Sequence, residues 1–305
     1  MQSKNAAYRS GAWPPLPLKE WNDTRDTLHM WMQIVGKIRM ALSPRINHSW
    51  GVPLYVTARG LTTSPIPYPA GIFEIQFDFL EHTLVIQTSA GAAKTLRLAP
   101  QSVADFYGEV MAALRSLDIA VKISTLPNEI PNPIRFEEDR GHSSYDPEYA
   151  NRFWRVLVAA DIVLKEFRSR FIGKHSPVHF FWGAMDLAAT RFSGRRAPER
   201  ADADAFMREA YSHEVISAGF WPGMGDTDAV FYSYAAPEPP GFSKALVLPS
   251  AAFYSTQFSE FLLPYEEVRK AASPAETLLE FFQSVYDAGA TLGKWDRKAL
   301  ERPAL

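Results

Sequence analysis

The seven residues Phe73-Glu74-Ile75-Gln76-Phe77-Asp78-Phe79 alternate strictly between apolar and polar side chains. An extended strand sorts such a pattern onto two faces, and the polar face must meet water. The sheet that contains it is therefore antiparallel and half buried. Leu84 to Thr88 is the expected hairpin partner across Glu81-His82, with Thr95 to Leu98 as a third strand. Leu54 to Ala58 precedes them, and Val121 to Ser124 is expected to add another. Val178 to Phe192, Glu214 to Phe220, Ala229 to Tyr234 and Phe261 to Leu263 are strand candidates later in the chain.

Helical spacing takes over between these segments. Trp21, Thr24, Leu28, Trp31, Met32, Val35, Ile38 and Leu42 recur as on one helix from about Glu20 to Leu42, ended by Ser43-Pro44. A second helix follows Ser102, a suitable N-cap, and places Val103, Phe106, Val110 and Leu114 on one side. Asp146-Pro147 opens a third, because proline fits the first helical position, where its missing N–H is no loss. Ser273-Pro274-Ala275-Glu276 opens the last, with the spacing of a capping box.

The class is thus α+β. Two similar halves are expected, residues 16–130 and 145–296, packed as one compact unit. Each has a long helix, antiparallel strands and a second helix. This order suggests an internal duplication, and Thr57-Ala58-Arg59-Gly60 and Ala189-Thr190-Arg191-Phe192 are its local echo. Proline-rich Pro127 to Pro133 marks the joint.

Net charge is -2, and no run of Lys or Arg resembles a phosphate-binding stripe, so nucleic acid is not an expected partner. The chain has no cysteine, which excludes disulfides, thiolate metal sites and cysteine nucleophiles. No apolar stretch approaches a membrane span or a signal peptide, so a soluble, cytoplasmic protein without membrane association is expected.

Residues 174–196 thread His175, His179, Asp186, Arg191, Arg195 and Arg196 through bulky apolar neighbours, where polar groups must be paired. His175 and His179 have the spacing of a helical metal pair, but Pro177 breaks the helix that would give this spacing meaning, so no metal site is expected. On a continuous strand His179 and Asp186 face opposite sides, unless Gly183 marks a bulge. His179, His213 and Asp186 are the catalytic candidates. Arg191, Trp182 and Trp221 are the ligand-binding candidates, and Arg195 and Arg196 are expected in a solvated turn. No nucleophile elbow, zinc-protease motif or phosphate loop is present, and no motif names a cofactor.

The segments Leu28 to Trp31, Leu54 to Tyr68, Ser102 to Tyr107, Tyr145 to Trp154, Ser176 to Trp182 and Tyr211 to Gly223 together resemble a family of bacterial proteins that carry a domain of unknown function. The resemblance runs from about Leu16 to Asp296. It implies a bacterial, cytosolic protein and brings no activity, cofactor or catalytic residue with it. His175 stands where such sequences are expected to have cysteine, which argues against a metal or nucleophile role there.

Two functions stay open. One is a small-ligand binder or enzyme with a small molecule as partner, held in an aromatic-lined polar pocket. There His179 or His213 would carry protons and Arg191 would hold an anionic group. The alternative is a non-catalytic interaction or scaffold protein that uses Pro65 to Pro69, Pro127 to Pro133 and Pro237 to Pro240.

Overall fold

The computed structural model describes residues 13–199 and 201–303, which form two compact units. The first unit comprises residues 18–154 and 179–186. Among the described residues, the second comprises 13–17, 155–178 and 187–303.

In the first unit α1 spans Leu18–Leu42, and every residue from Thr27 to Arg39 is buried. A helix enclosed on all sides normally lacks polar residues, yet this one carries Arg25, His29, Gln33, Lys37 and Arg39. After it come β1 (Tyr55–Val56), β2 (Gly60–Thr62), β3 (Ile66–Tyr68), β4 (Gly71–Asp78), β5 (Thr83–Thr88) and β6 (Ala93–Arg97). They pair antiparallel in the order β1-β2-β4-β5-β6, with β3 also on β4. The register sets Ile75 opposite Ile86 and Phe77 opposite Leu84, so one face is a packed apolar layer, while Glu74 and Gln76 stay half exposed on the other. The expected alternation is what the sheet shows. Helix α2 (Val103–Ser116) starts at Ser102, whose hydroxyl accepts from Asp105 N, and its Phe106 stacks on Trp31 with ring centroids 4.6 Å apart. Helix α3 (Pro147–Ser169), of which only residues 147–154 belong to this unit, starts where Asp146 accepts from the amides of Glu148 and Tyr149. The short strand β7 (His179–Phe181) completes this unit.

The second unit is built on β8 (Asp186–Arg196), β9 (His213–Trp221), β10 (Val230–Ala236), β11 (Phe253–Ser255) and β12 (Glu260–Pro264), all antiparallel, in the order β11-β12-β10-β9-β8. Short helices α4 (Ala205–Ala210) and α5 (Tyr265–Lys270) flank them, and α6 (Pro274–Leu292) packs on β9 and β10 through Leu278, Phe281, Phe282, Val285, Tyr286 and Gly289. A Cβ on Gly289 would sit 2.9 Å from the Ile216 side chain, which shows how close helix and strand come. Helix α7 (Arg297–Leu300) follows. Trp13 lies edge-on to Phe231, and the Tyr265 hydroxyl donates to Pro14 O at 2.7 Å, so the Trp-Pro segment is part of this core.

Several expectations need correction. Val121 to Ser124 forms no strand; its side chains have strand propensity, but its backbone joins no ladder. Val178 to Phe192 is not one strand. The four-residue turn Trp182–Met185, with Met185 at φ 64°, divides it into β7 and β8, so strand parity cannot be carried from His179 to Asp186. Ser273 makes no side-chain cap; Pro274 alone marks that helix start. Arg195 and Arg196 are exposed, as expected, but they end β8 rather than form a turn, and Arg195 is held in place. It donates to Glu214 and to the carbonyls of Gly293 and Lys294 just past the C-terminus of α6, where a cation meets the negative end of the helix dipole. The two sheets differ in strand order, and the internal duplication is not confirmed. Among the described residues no helix is long and apolar enough to cross a membrane.

Candidate functional site

Leu54 and Phe180 exchange both backbone hydrogen bonds at 2.9 Å. A reciprocal pair fixes the antiparallel register, which places Tyr55 opposite His179 on the face away from Leu54 and Phe180. Leu54 and Phe180 are fully buried, while Tyr55 and Phe181 are half exposed. Three rings therefore meet the buried His179 edge-on: Phe181 at 5.5 Å, Tyr55 at 5.6 Å and Trp50, also half exposed, at 5.8 Å. His48 lies 5.5 Å from Trp50, and both His48 and Ser49 hold left-handed backbone angles, φ 56° and 58°. Consecutive non-glycine residues in that region cost on the order of 1 kcal/mol or more each, and such strain clusters at ligand sites.

Arg39, in the last turn of α1, brings a formal charge to the cluster; its guanidinium carbon is 5.5 Å from the Tyr55 ring centre and it hydrogen-bonds Tyr55. Its Nε and Nη1 are buried without a hydrogen-bond partner. Among the described residues no carboxylate lies within ion-pair distance of it. Burial raises the Tyr55 pKa, so the phenol stays neutral, and burial lowers that of Arg39; a guanidinium nonetheless keeps its proton at neutral pH. An uncompensated buried cation is an expensive arrangement.

A polar stripe at four-residue spacing runs along α1. Gln33 pairs with the main chain of Asn128 as a strand would, accepting from its N–H and donating to its C=O, both at 2.8 Å. His29 Nε2 lies 3.0 and 2.8 Å from the carbonyls of Trp182 and Gly183. Carbonyls only accept, so Nε2 carries the hydrogen and Nδ1 is a bare lone pair, buried without a partner. Burial, helped by the charge of Arg25, pushes the His29 pKa down to about 4. Lys37 donates to Asn128 Oδ1 at 2.6 Å, and burial lowers its pKa. His29 thus holds the turn after β7, while Gln33 and Lys37 hold the segment at Asn128. Trp182 itself donates to Val52 O at 2.9 Å and lies against Gly36, where a Cβ would come within 2.3 Å of the indole.

The other sequence candidates have separate surroundings. Arg191 is enclosed by Phe167 at 3.5 Å, Tyr286 at 4.2 Å and Phe171 at 5.2 Å, and donates to Phe167 O. Cation–π contacts on this scale make it a core element of the second unit, and burial lowers its pKa to about 9. His213 is half buried beside Ser212 Oγ at 3.0 Å; burial, then the charges of Lys174 and Arg196, lower its pKa. Trp221 ends β9 edge-on to Phe258. Asp186 begins β8, half buried. Among the described residues no group of three or more His, Cys, Asp or Glu is placed to hold a metal.

Sequence inspection found His179 but missed Arg39, Trp50 and Tyr55, because only the Leu54–Phe180 bridge brings them to it. The stripe had a visible signal: Arg25, His29, Gln33 and Lys37 fall at i, i+4, i+8 and i+12 of one helix. No curated protein and no solved structure matches the chain. The model of a family of unknown function, DUF5996, matches residues 13–302, almost the whole length, and the chain belongs to that family.

Proposed function

We propose that this protein binds a small molecule at the ring cluster of Trp50, Tyr55, His179 and Phe181. The observation that carries the proposal is the placement of three half-exposed aromatic rings around one buried histidine, beside a strained turn. Aromatic walls with a few fixed polar groups are the usual make-up of ligand sites. If the site catalyses a reaction, His179 is its proton carrier and Tyr55 a hydrogen-bond donor. The boxed Arg191 then supports the fold, and His213 and Asp186 lie in other surroundings. A cysteine-free chain suits a reducing compartment, so we place the protein in a bacterial cytoplasm.

Native mass spectrometry of freshly purified protein tests this. A small molecule should be retained by the wild type and lost from Trp50→Leu and His179→Asn at unchanged circular dichroism. Equal retention by both variants would overturn the assignment.

A second reading, an interaction protein, draws on exposed apolar side chains near the Pro237-Glu238-Pro239-Pro240 loop. Leu246 is 99% exposed, with Leu248, Phe253 and Phe258 exposed nearby in sequence, and Tyr254 tethers the segment to Glu238.

A further inference from the structure

We infer that the ligand of the ring cluster carries one carboxylate on a flat, unsaturated body, and that Arg39 receives the carboxylate. This rests on the ring cluster being the ligand site.

Arg39 differs from the other buried arginines in what surrounds it. Arg25 has Asp26 at 2.6 Å, and Arg191 is enclosed by three rings. Arg39 has one ring, Tyr55, and no carboxylate among the described residues. It is 7% exposed, and its unpartnered Nε and Nη1 carry three N–H bonds between them. The C-terminus of α1 meets part of its charge, because cations are favoured there, but it accepts none of those hydrogens. The missing partner is thus an acceptor with negative charge.

The position supplies the rest of the ligand's description. Tyr55 lies under Arg39 and 5.6 Å from His179, and it is half exposed, as are Trp50 and Phe181. An acid held by Arg39 would extend over ring surfaces that favour a planar π system. Charge matching selects a carboxylate over a phosphate. One guanidinium balances a single negative charge, whereas a phosphate monoester near pH 7 carries nearly two.

The test uses benzoate, benzamide and phenyl phosphate, titrated into full-length protein. Binding is followed at the tryptophan indole N–H signals in NMR spectra, with Trp50 assigned from Trp50→Phe. Wild type should bind benzoate at least about tenfold more tightly than benzamide, and more tightly than phenyl phosphate. Arg39→Met should abolish the preference for benzoate. Its melting temperature without ligand should equal or exceed that of wild type, since an apolar side chain of similar length removes an uncompensated charge. Arg39→Lys should keep a reduced preference and gives the comparison if the Met variant does not fold. Equal binding of benzoate and benzamide by wild type would overturn the carboxylate inference and leave the ring-cluster site standing. Tighter binding of phenyl phosphate would also overturn it. No shift at Trp50 with any of the three at 10 mM, roughly the weakest binding worth the name, would overturn the site itself and this inference with it.

Discussion

His29 is a histidine that the fold keeps neutral. Its pKa of about 4 lies below the ordinary value of 6.5, so the unfolded chain binds the proton more readily than the folded one between those limits. Stability is therefore fully present above about pH 6.5 and is lost as pH falls toward 4, by on the order of 3 kcal/mol from this residue. His29→Gln keeps an N–H donor for the two carbonyls and cannot titrate. Urea unfolding at pH 7 and pH 4.5 should show a smaller loss in this variant; an identical loss in both proteins would show that His29 is not responsible. Gly36 is the other decisive residue of α1. Gly36→Ala should lower stability by about 1–3 kcal/mol, the usual cost of overpacking, because the new methyl meets the indole at 2.3 Å. Trp182→Leu should cost less on the Gly36→Ala background than alone, a coupling that a double-mutant cycle measures.

At the level of elements, the long ones were legible. Four helices and the central hairpins follow from spacing, because each buries one face over several turns or pairs, and that demands a repeated pattern. Ser102 and Asp146 were readable as caps because a short polar side chain before an apolar run has few other uses. Ser102→Ala should cost about 1 kcal/mol, measured by thermal unfolding, and should leave ligand binding at Trp50 unchanged. Strands of three residues, such as β2, β3 and β11, have too few positions to show a period. The same limit hid most of the site. His179 was conspicuous as a polar residue in an aromatic run, whereas Tyr55 becomes its neighbour only through a bridge 126 residues away in sequence, from Leu54 to Phe180. Arg39 looked like an ordinary basic residue near a helix end, and only its burial without a counter-ion shows otherwise.

For the whole molecule, composition set boundaries more than it set function. A net charge of -2 and a pI near 6.4 place the least soluble pH close to neutrality. Light scattering across pH 5 to 8 should find most self-association near pH 6.4; association that rises steadily toward pH 8 would show that charge is not in control. Exposed Leu246 and Phe253 would add to it, and Leu246→Glu should reduce scattering at every pH tested.

Trp13 has a consequence for how the chain is made. Residues of the second unit flank the first in sequence, and Tyr265 reaches Pro14 across 251 positions. During synthesis, most of the first unit leaves the ribosome as one continuous stretch and can collapse early. The Trp-Pro segment emerges before it, yet its partners Phe231 and Tyr265 are translated only after the first unit is complete. The Trp13-Pro14 segment is thus late to find its place, and a nascent chain stalled before β10 should leave Trp13 open to solvent and to proteases.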